Sequence, residues 1–128
     1  MIYVIDHKDS FTHNVVHQLS LFDEVECDNY NNVDKIKLNK AKVIVFSPGP
    51  GNPKNYPLTS KIYNQFKGKK KIIGICLGFQ QILFCEGAQI VEQNKIYHGY
   101  QSNIKVNSKN SLFKKNQIFK VGRYHSLK

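Results

Sequence analysis

The apolar residues of this chain fall into short continuous runs that alternate with stretches of helical spacing. Ile2-Tyr3-Val4-Ile5 reads as a first β-strand, and Asp6-His7-Lys8-Asp9-Ser10 follows as a loop. Asp9 or Ser10 is expected to cap the next helix by accepting backbone N–H bonds. Thr12, Val15, Val16 and Leu19 stand at i, i+3, i+4 and i+7, which predicts a helix to about Phe22. Glu24 to Asn29 reads as an edge strand with Val25 and Cys27 on one face. The polar stretch from Asn29 to Lys42 leaves room for a short helix around Val33–Leu38. Val43-Ile44-Val45-Phe46 is a second apolar run and predicts a buried strand. Pro57 is placed to open a helix with Leu58, Ile62 and Phe66 on its buried side. From Lys71 the run Ile72-Ile73-Gly74-Ile75 suits a strand buried on both faces. After Cys76 the period changes, with Phe79, Ile82 and Leu83 on one helix face. Gly87 breaks that pattern. Beyond it, Gln89–Glu92 predicts a short strand, Tyr97-His98-Gly99-Tyr100 a turn, and Ile104–Val106 and Ile118–Val121 two further strands.

Strands alternating with helices predict an α/β fold, a mostly parallel sheet with helices on both faces. The 128 residues suffice for one domain, 1–128, with a real core. Ligands of such sheets gather beyond the carboxyl ends of the strands, and two strand ends here carry unusual loops. The first is Ser47-Pro48-Gly49-Pro50-Gly51-Asn52-Pro53. It is no phosphate loop, since no Gly-Lys-Ser/Thr follows and its prolines remove N–H donors. It is either a stiff turn or a rigid frame that aims glycine N–H groups at a ligand. The second is Gly74-Ile75-Cys76-Leu77-Gly78, the thiol counterpart of the Gly-x-Ser-x-Gly nucleophile elbow. A cysteine at a strand-to-helix junction meets the partial positive charge of a helix N-terminus, and a lowered thiol pKa is expected there. The alternative is a small buried cysteine whose flanking glycines serve packing alone.

Composition narrows the classes. An apolar content of 41% is that of a globular protein, and no apolar run has the length of a membrane span. The N-terminus reads as a strand and not as a signal peptide. Three cysteines without Cys-x-x-Cys spacing indicate neither a disulfide framework nor a metal site, so a cytoplasmic location is expected. The net charge of +10 raises the question of nucleic acid. Yet Arg123 is the only arginine and the lysines are spread along the chain, whereas base readout and bidentate phosphate contacts favour clustered arginine. Nucleic acid is therefore not an expected partner, and neither is a membrane.

Five ordered motifs carry a family resemblance. They are Asp9-Ser10-Phe11-Thr12, the Ser47–Gly51 loop, Gly74-Ile75-Cys76-Leu77-Gly78-Phe79-Gln80, His98-Gly99 and Arg123-Tyr124-His125-Ser126-Leu127. Together, over essentially the whole chain, they resemble the class I (triad-type) glutamine amidotransferases. The closest subgroup is the glutaminase subunit of anthranilate synthase and 4-amino-4-deoxychorismate synthase. The resemblance implies a flavodoxin-like sheet and no cofactor. It implies Cys76 as the nucleophile on the glutamine side-chain amide, with an oxyanion held by the backbone N–H groups of Leu77 and Gly49. It also implies glutamine contacts from Gly49, Pro50, Gly51, Gln80, Ser126 and Leu127. Ammonia would pass to a chorismate-binding synthase subunit, for which the loop His7–Thr12 is the expected docking surface.

Two departures from the family pattern stand out. Phe79 replaces a histidine common among relatives, outside the triad. More seriously, the family completes its triad with a His-x-Glu pair beyond the Tyr-His-Ser-Leu segment, and these 128 residues contain none. The expectation is a chain that stops short of its general base and of its late strands. The alternative is a catalytically dead binding subunit of the same synthase.

Overall fold

The computed structural model describes residues 1–107 and 114–127, with the side chains of 94–100 and 122–127 outside the description. The chain divides into two compact units, Met1–Ile90 and Val91–Lys128.

The first unit holds four parallel strands in the order β2-β1-β3-β4: β1 (Ile2–Asp6), β2 (Val25–Asn29), β3 (Val43–Phe46) and β4 (Lys71–Gly74). The registers Val4↔Cys27, Val4↔Val45 and Val45↔Ile73 place alternate residues on opposite faces. On one face Ile2, Val4 and Val45 pack with Val15, Val16 and Leu19 of helix α1 (Thr12–Ser20). On the other, Tyr3, Ile5, Ile44 and Phe46 meet Leu38 of α2 (Lys35–Lys40), Ile62, Tyr63 and Phe66 of α3 (Pro57–Phe66), and Ile82 and Cys85 of α4 (Leu77–Cys85). This is the doubly covered parallel sheet that the alternation predicts. Val25 and Cys27 share the α1 face, and β2 is an edge strand.

Several local expectations are corrected. Neither Asp9 nor Ser10 caps α1. Phe11 occupies the cap position without a side-chain bond, and Asp6 at the end of β1 instead accepts from the Asp9 N–H (3.3 Å) and the Thr12 hydroxyl (2.8 Å). Leu58 is 45% exposed, because the buried stripe of α3 runs through Thr59, Ile62, Tyr63 and Phe66. The inward face of α4 is Gly78, Gln81, Ile82 and Cys85, while Phe79 is 53% exposed. Gly78 must abut the Phe46 backbone, and that contact turns the helix so that Gln81 points inward. The Gln81 amide nitrogen is satisfied by Pro53 O (3.1 Å), Tyr56 O (3.3 Å) and Ser60 Oγ (2.7 Å). Strand β4 is not buried on both faces. It ends the sheet, α1 packs over β1 and β2, and Ile73 is left 46% exposed.

The second unit is an antiparallel pair, β5 (Glu92–Lys105) and β6 (Ile118–Leu127). The strand predicted at Gln89–Glu92 is absent except for Glu92, which begins β5. The turn predicted at Tyr97–Tyr100 is a bulge within β5, since pairing continues on both sides of it, at His98↔Tyr124 and Tyr100↔Arg123. One surplus residue, Gly99, is absorbed without reversing the chain. Among the described residues no helix is long and apolar enough to cross a membrane.

Candidate active site

The site begins with two backbone facts about β4 and α4. Cys76, between them, has φ 55° and ψ −109°, a conformation that L-residues rarely adopt. Holding a side-chain-bearing residue there costs on the order of 1–3 kcal/mol, and such strain persists only where the surroundings enforce it. Here they do. A Cβ on Gly74 would stand 2.5 Å from the carbonyl carbon and oxygen of Gly78 and from the Phe79 nitrogen. A Cβ on Gly78 would collide with the Phe46 carbonyl oxygen, and would stand 2.6 Å from the Phe46 Cβ. Ile75 N–H donates to Phe46 O (3.0 Å), Gly78 N–H to Ile75 O (3.0 Å) and Gln80 N–H to Cys76 O (3.0 Å). The turn is thus closed around Cys76, which remains exposed at its apex.

The Pro-Gly loop lies against this elbow. A Cβ at Gly49 would meet the His7 Cβ (2.5 Å), the His7 carbonyl oxygen (2.7 Å) and Leu77 Cδ2 (2.8 Å). Gly49 is therefore glycine because it fits between the end of β1 and the first residue of α4. The loop beyond is built locally. Gly51 has φ 80°, Asn52 and Asn55 form a reciprocal capping box around a 3-10 turn at Pro53–Asn55, and the Tyr56 hydroxyl donates to Pro50 O (2.6 Å). Cys76, Leu77, Gly49 and Gln80 are thereby gathered at one end of the sheet. Ser126 and Leu127 fall in β6 of the second unit, with side chains outside the described residues.

The electrostatics differ from the sequence expectation. The Cys76 thiol is pushed up from its ordinary pKa and not down. Partial burial raises it most, the Leu77 N–H lowers it, and the Asp9 carboxylate raises it again. Apart from any base, the resting form is the thiol. The expected docking loop is only partly at the surface. His7 and Thr12 are buried (0% and 3% exposed), leaving Lys8, Ser10 and Phe11 as its exposed residues.

Two residues that shape this site, His7 and Thr59, were not among those singled out for it. With Ser47 at the start of the Pro-Gly loop they form a fully buried polar cluster. The only trace of it in the sequence is a histidine adjoining an apolar strand, which does not reveal that the ring turns inward.

Comparison with known proteins follows the same lines. The family model "Glutamine amidotransferase class-I" matches residues 3–128. The chain is 36% identical to anthranilate synthase component 2 of Lactococcus lactis over 99% of its own length and 65% of the relative's. It is 34% identical to the aminodeoxychorismate/anthranilate synthase component 2 of Bacillus subtilis, over 99% of its own length and 67% of that protein. It thus spans about two thirds of these curated relatives. A solved glutamine amidotransferase from Thermotoga maritima superposes over 99% of this chain and 60% of its own with a TM-score of 0.75; at 15% identity the likeness speaks for the fold.

Proposed function

This chain belongs to the class-I glutamine amidotransferase family, and from that premise we propose that it is the glutaminase component of a chorismate-utilising synthase. Cys76 attacks the side-chain amide carbon of glutamine. The carbonyl oxygen becomes an oxyanion, held by the backbone N–H groups of Leu77 and Gly49. Collapse expels ammonia and leaves a γ-glutamyl thioester, which water hydrolyses to glutamate. Each oxyanion donor contributes roughly 3–4 kcal/mol in the transition state. Gly49, Pro50, Gly51 and Gln80 are the glutamine contacts of the first unit, and the family resemblance further implies contacts from Ser126 and Leu127. Ammonia passes to a chorismate-binding partner subunit in the cytoplasm. The thiol needs a base to deprotonate it, and the leaving nitrogen needs that proton back. The family resemblance assigns this shuttle to the histidine of a His-x-Glu pair, which these 128 residues do not contain.

The observation that carries the reading is the strained elbow. Cys76 at φ 55° is exposed at the apex of a strand-to-helix turn, with Gly49 packed against the adjacent Leu77. A buried packing cysteine would need neither the strain nor the exposure. The test is the native protein assayed with its synthase partner, supplied with glutamine or with ammonium. Cys76→Ser should abolish synthesis from glutamine and leave synthesis from ammonium intact. Glutamine hydrolysis that survives the substitution would remove Cys76 as the nucleophile.

A further inference from the structure

We propose that His7 is a positioning residue for the oxyanion loop, a buried neutral imidazole whose Nδ1–H fixes the Ser47-Pro48-Gly49 backbone and so aims the Gly49 N–H. The inference deepens the glutaminase reading and rests on it.

The His7 backbone N–H donates to Ser47 Oγ (2.8 Å), and the Ser47 hydroxyl donates to Pro48 O (2.7 Å). A hydroxyl has one proton, and this one is committed to Pro48. His7 Nδ1 lies 3.2 Å from Ser47 O and 3.2 Å from Ser47 Oγ. The first is a carbonyl and the second has only lone pairs left to offer, so Nδ1 must carry the proton. A neutral ring then has a bare Nε2, which accepts from the Thr59 hydroxyl at 2.9 Å. The ring is fully buried, with Tyr56 edge-on at 4.9 Å and Tyr30 stacked at 5.9 Å. Donation therefore runs in one direction, from Thr59 on α3 through the imidazole to Ser47.

The consequence falls on Gly49. In a planar trans peptide the C=O and the following N–H point in opposite directions. The hydrogen bond that holds Pro48 O thus also sets the direction of the Gly49 N–H. His7 acts twice on that peptide, by orienting Ser47 and by packing its own Cβ and carbonyl against Gly49. A leucine of similar size would fill the space but donate nothing to Ser47. An asparagine keeps a donor where Nδ1–H now stands.

The experiment compares two reagents on Cys76 in the full native chain, followed by intact mass. Iodoacetamide reacts by simple displacement. The chloromethyl ketone analogue of glutamine also forms an S–C bond, expels chloride and loses the thiol proton to solvent, but its carbonyl oxygen draws on the oxyanion donors. His7→Leu should slow the chloromethyl ketone about tenfold or more while iodoacetamide stays within about twofold, as loss of a positioned oxyanion donor requires. His7→Asn should recover most of the difference. Thr59→Val, which keeps the shape of α3, should act in the same direction as His7→Leu but less. Equal slowing of both reagents, or none, overturns the inference. So does a ¹⁵N spectrum of the wild-type ring that shows the proton on Nε2. A wild-type chain that takes up the chloromethyl ketone with no preference over a simple chloroketone overturns the glutaminase reading itself, and the inference falls with it. The ring spectrum separates the two failures, because it tests the tautomer without any substrate.

Discussion

The loops that leave β3 and β4 meet at the same end of the sheet but are held in place by different physics. The elbow after β4 is fixed by backbone against backbone. Gly74 and Gly78 bring the strand, the turn and α4 closer than any Cβ permits, and Cys76 is forced to positive φ between them. The loop after β3 is fixed mainly by polar side chains from elsewhere in the chain. Ser47 is held by His7 and Thr59 holds the ring, while Tyr56 holds Pro50. Steric exclusion is indifferent to pH. A hydrogen-bond cluster around a buried imidazole is not. The catalytic candidate thus stands on the rigid half, and its proposed oxyanion donor stands partly on the titratable half.

This contrast can be broken from either side. The largest effect should come from Gly78→Ala, whose methyl group would meet the Phe46 carbonyl. Overpacking against backbone costs about 3 kcal/mol, and urea unfolding should show a midpoint lowered equally at pH 7 and pH 5. The loop side should respond to acid. Burial pushes His7 down to about 4 from an ordinary 6.5. The unfolded chain therefore takes up a proton that the folded one refuses, and stability is lost as pH falls from about 6.5 to about 4. The full span amounts to about 3 kcal/mol. Urea midpoints across that window should fall, and His7→Asn should remove this component of the slope. A slope unchanged in that variant would mean that other groups govern acid unfolding. Gly49→Ala comes next, at about 1–3 kcal/mol, because its methyl group would press on His7 and Leu77 together. Differential scanning calorimetry should register the loss. The smallest effect belongs to Asp9→Asn. The Asp9 carboxylate helps to keep the Cys76 thiol protonated, so its removal should move the midpoint of the alkylation-rate profile to lower pH. A midpoint that stays put would place Asp9 too far away to matter.

Much of this was legible in the linear chain, and the failures share one cause. The four parallel strands, four helices and the elbow follow from apolar runs, helical spacing and the Gly-x-Cys-x-Gly spacing, all of which are local signals. The α1 cap failed because Phe11 takes the cap position without a side-chain bond, while Asp6 of the preceding strand holds the Asp9 N–H and the Thr12 hydroxyl. The orientation of α4 failed because Gly78 docks on Phe46, which put Gln81 inside and Phe79 outside. The lowered thiol pKa failed because partial burial and Asp9 outweigh the Leu77 N–H. In each case the deciding partner lies on another element, where spacing along the chain carries no information.

What the amino-acid sequence determined by itself is the order of elements in the first unit, helices on both faces of its parallel sheet and the identity of the residue at the elbow. These depend on periodicity and on which positions lack a Cβ, and both are properties of single positions and their near neighbours. Only the tertiary structure decided which way the rings and donors face. His7 became a buried neutral ring instead of a surface histidine because β1, β3 and α3 converge on it, with Ser47 taking its proton donor and Thr59 filling its lone pair. A side chain's protonation and tautomer follow from the atoms packed around it, and those atoms come from 40 and 52 residues away along the chain.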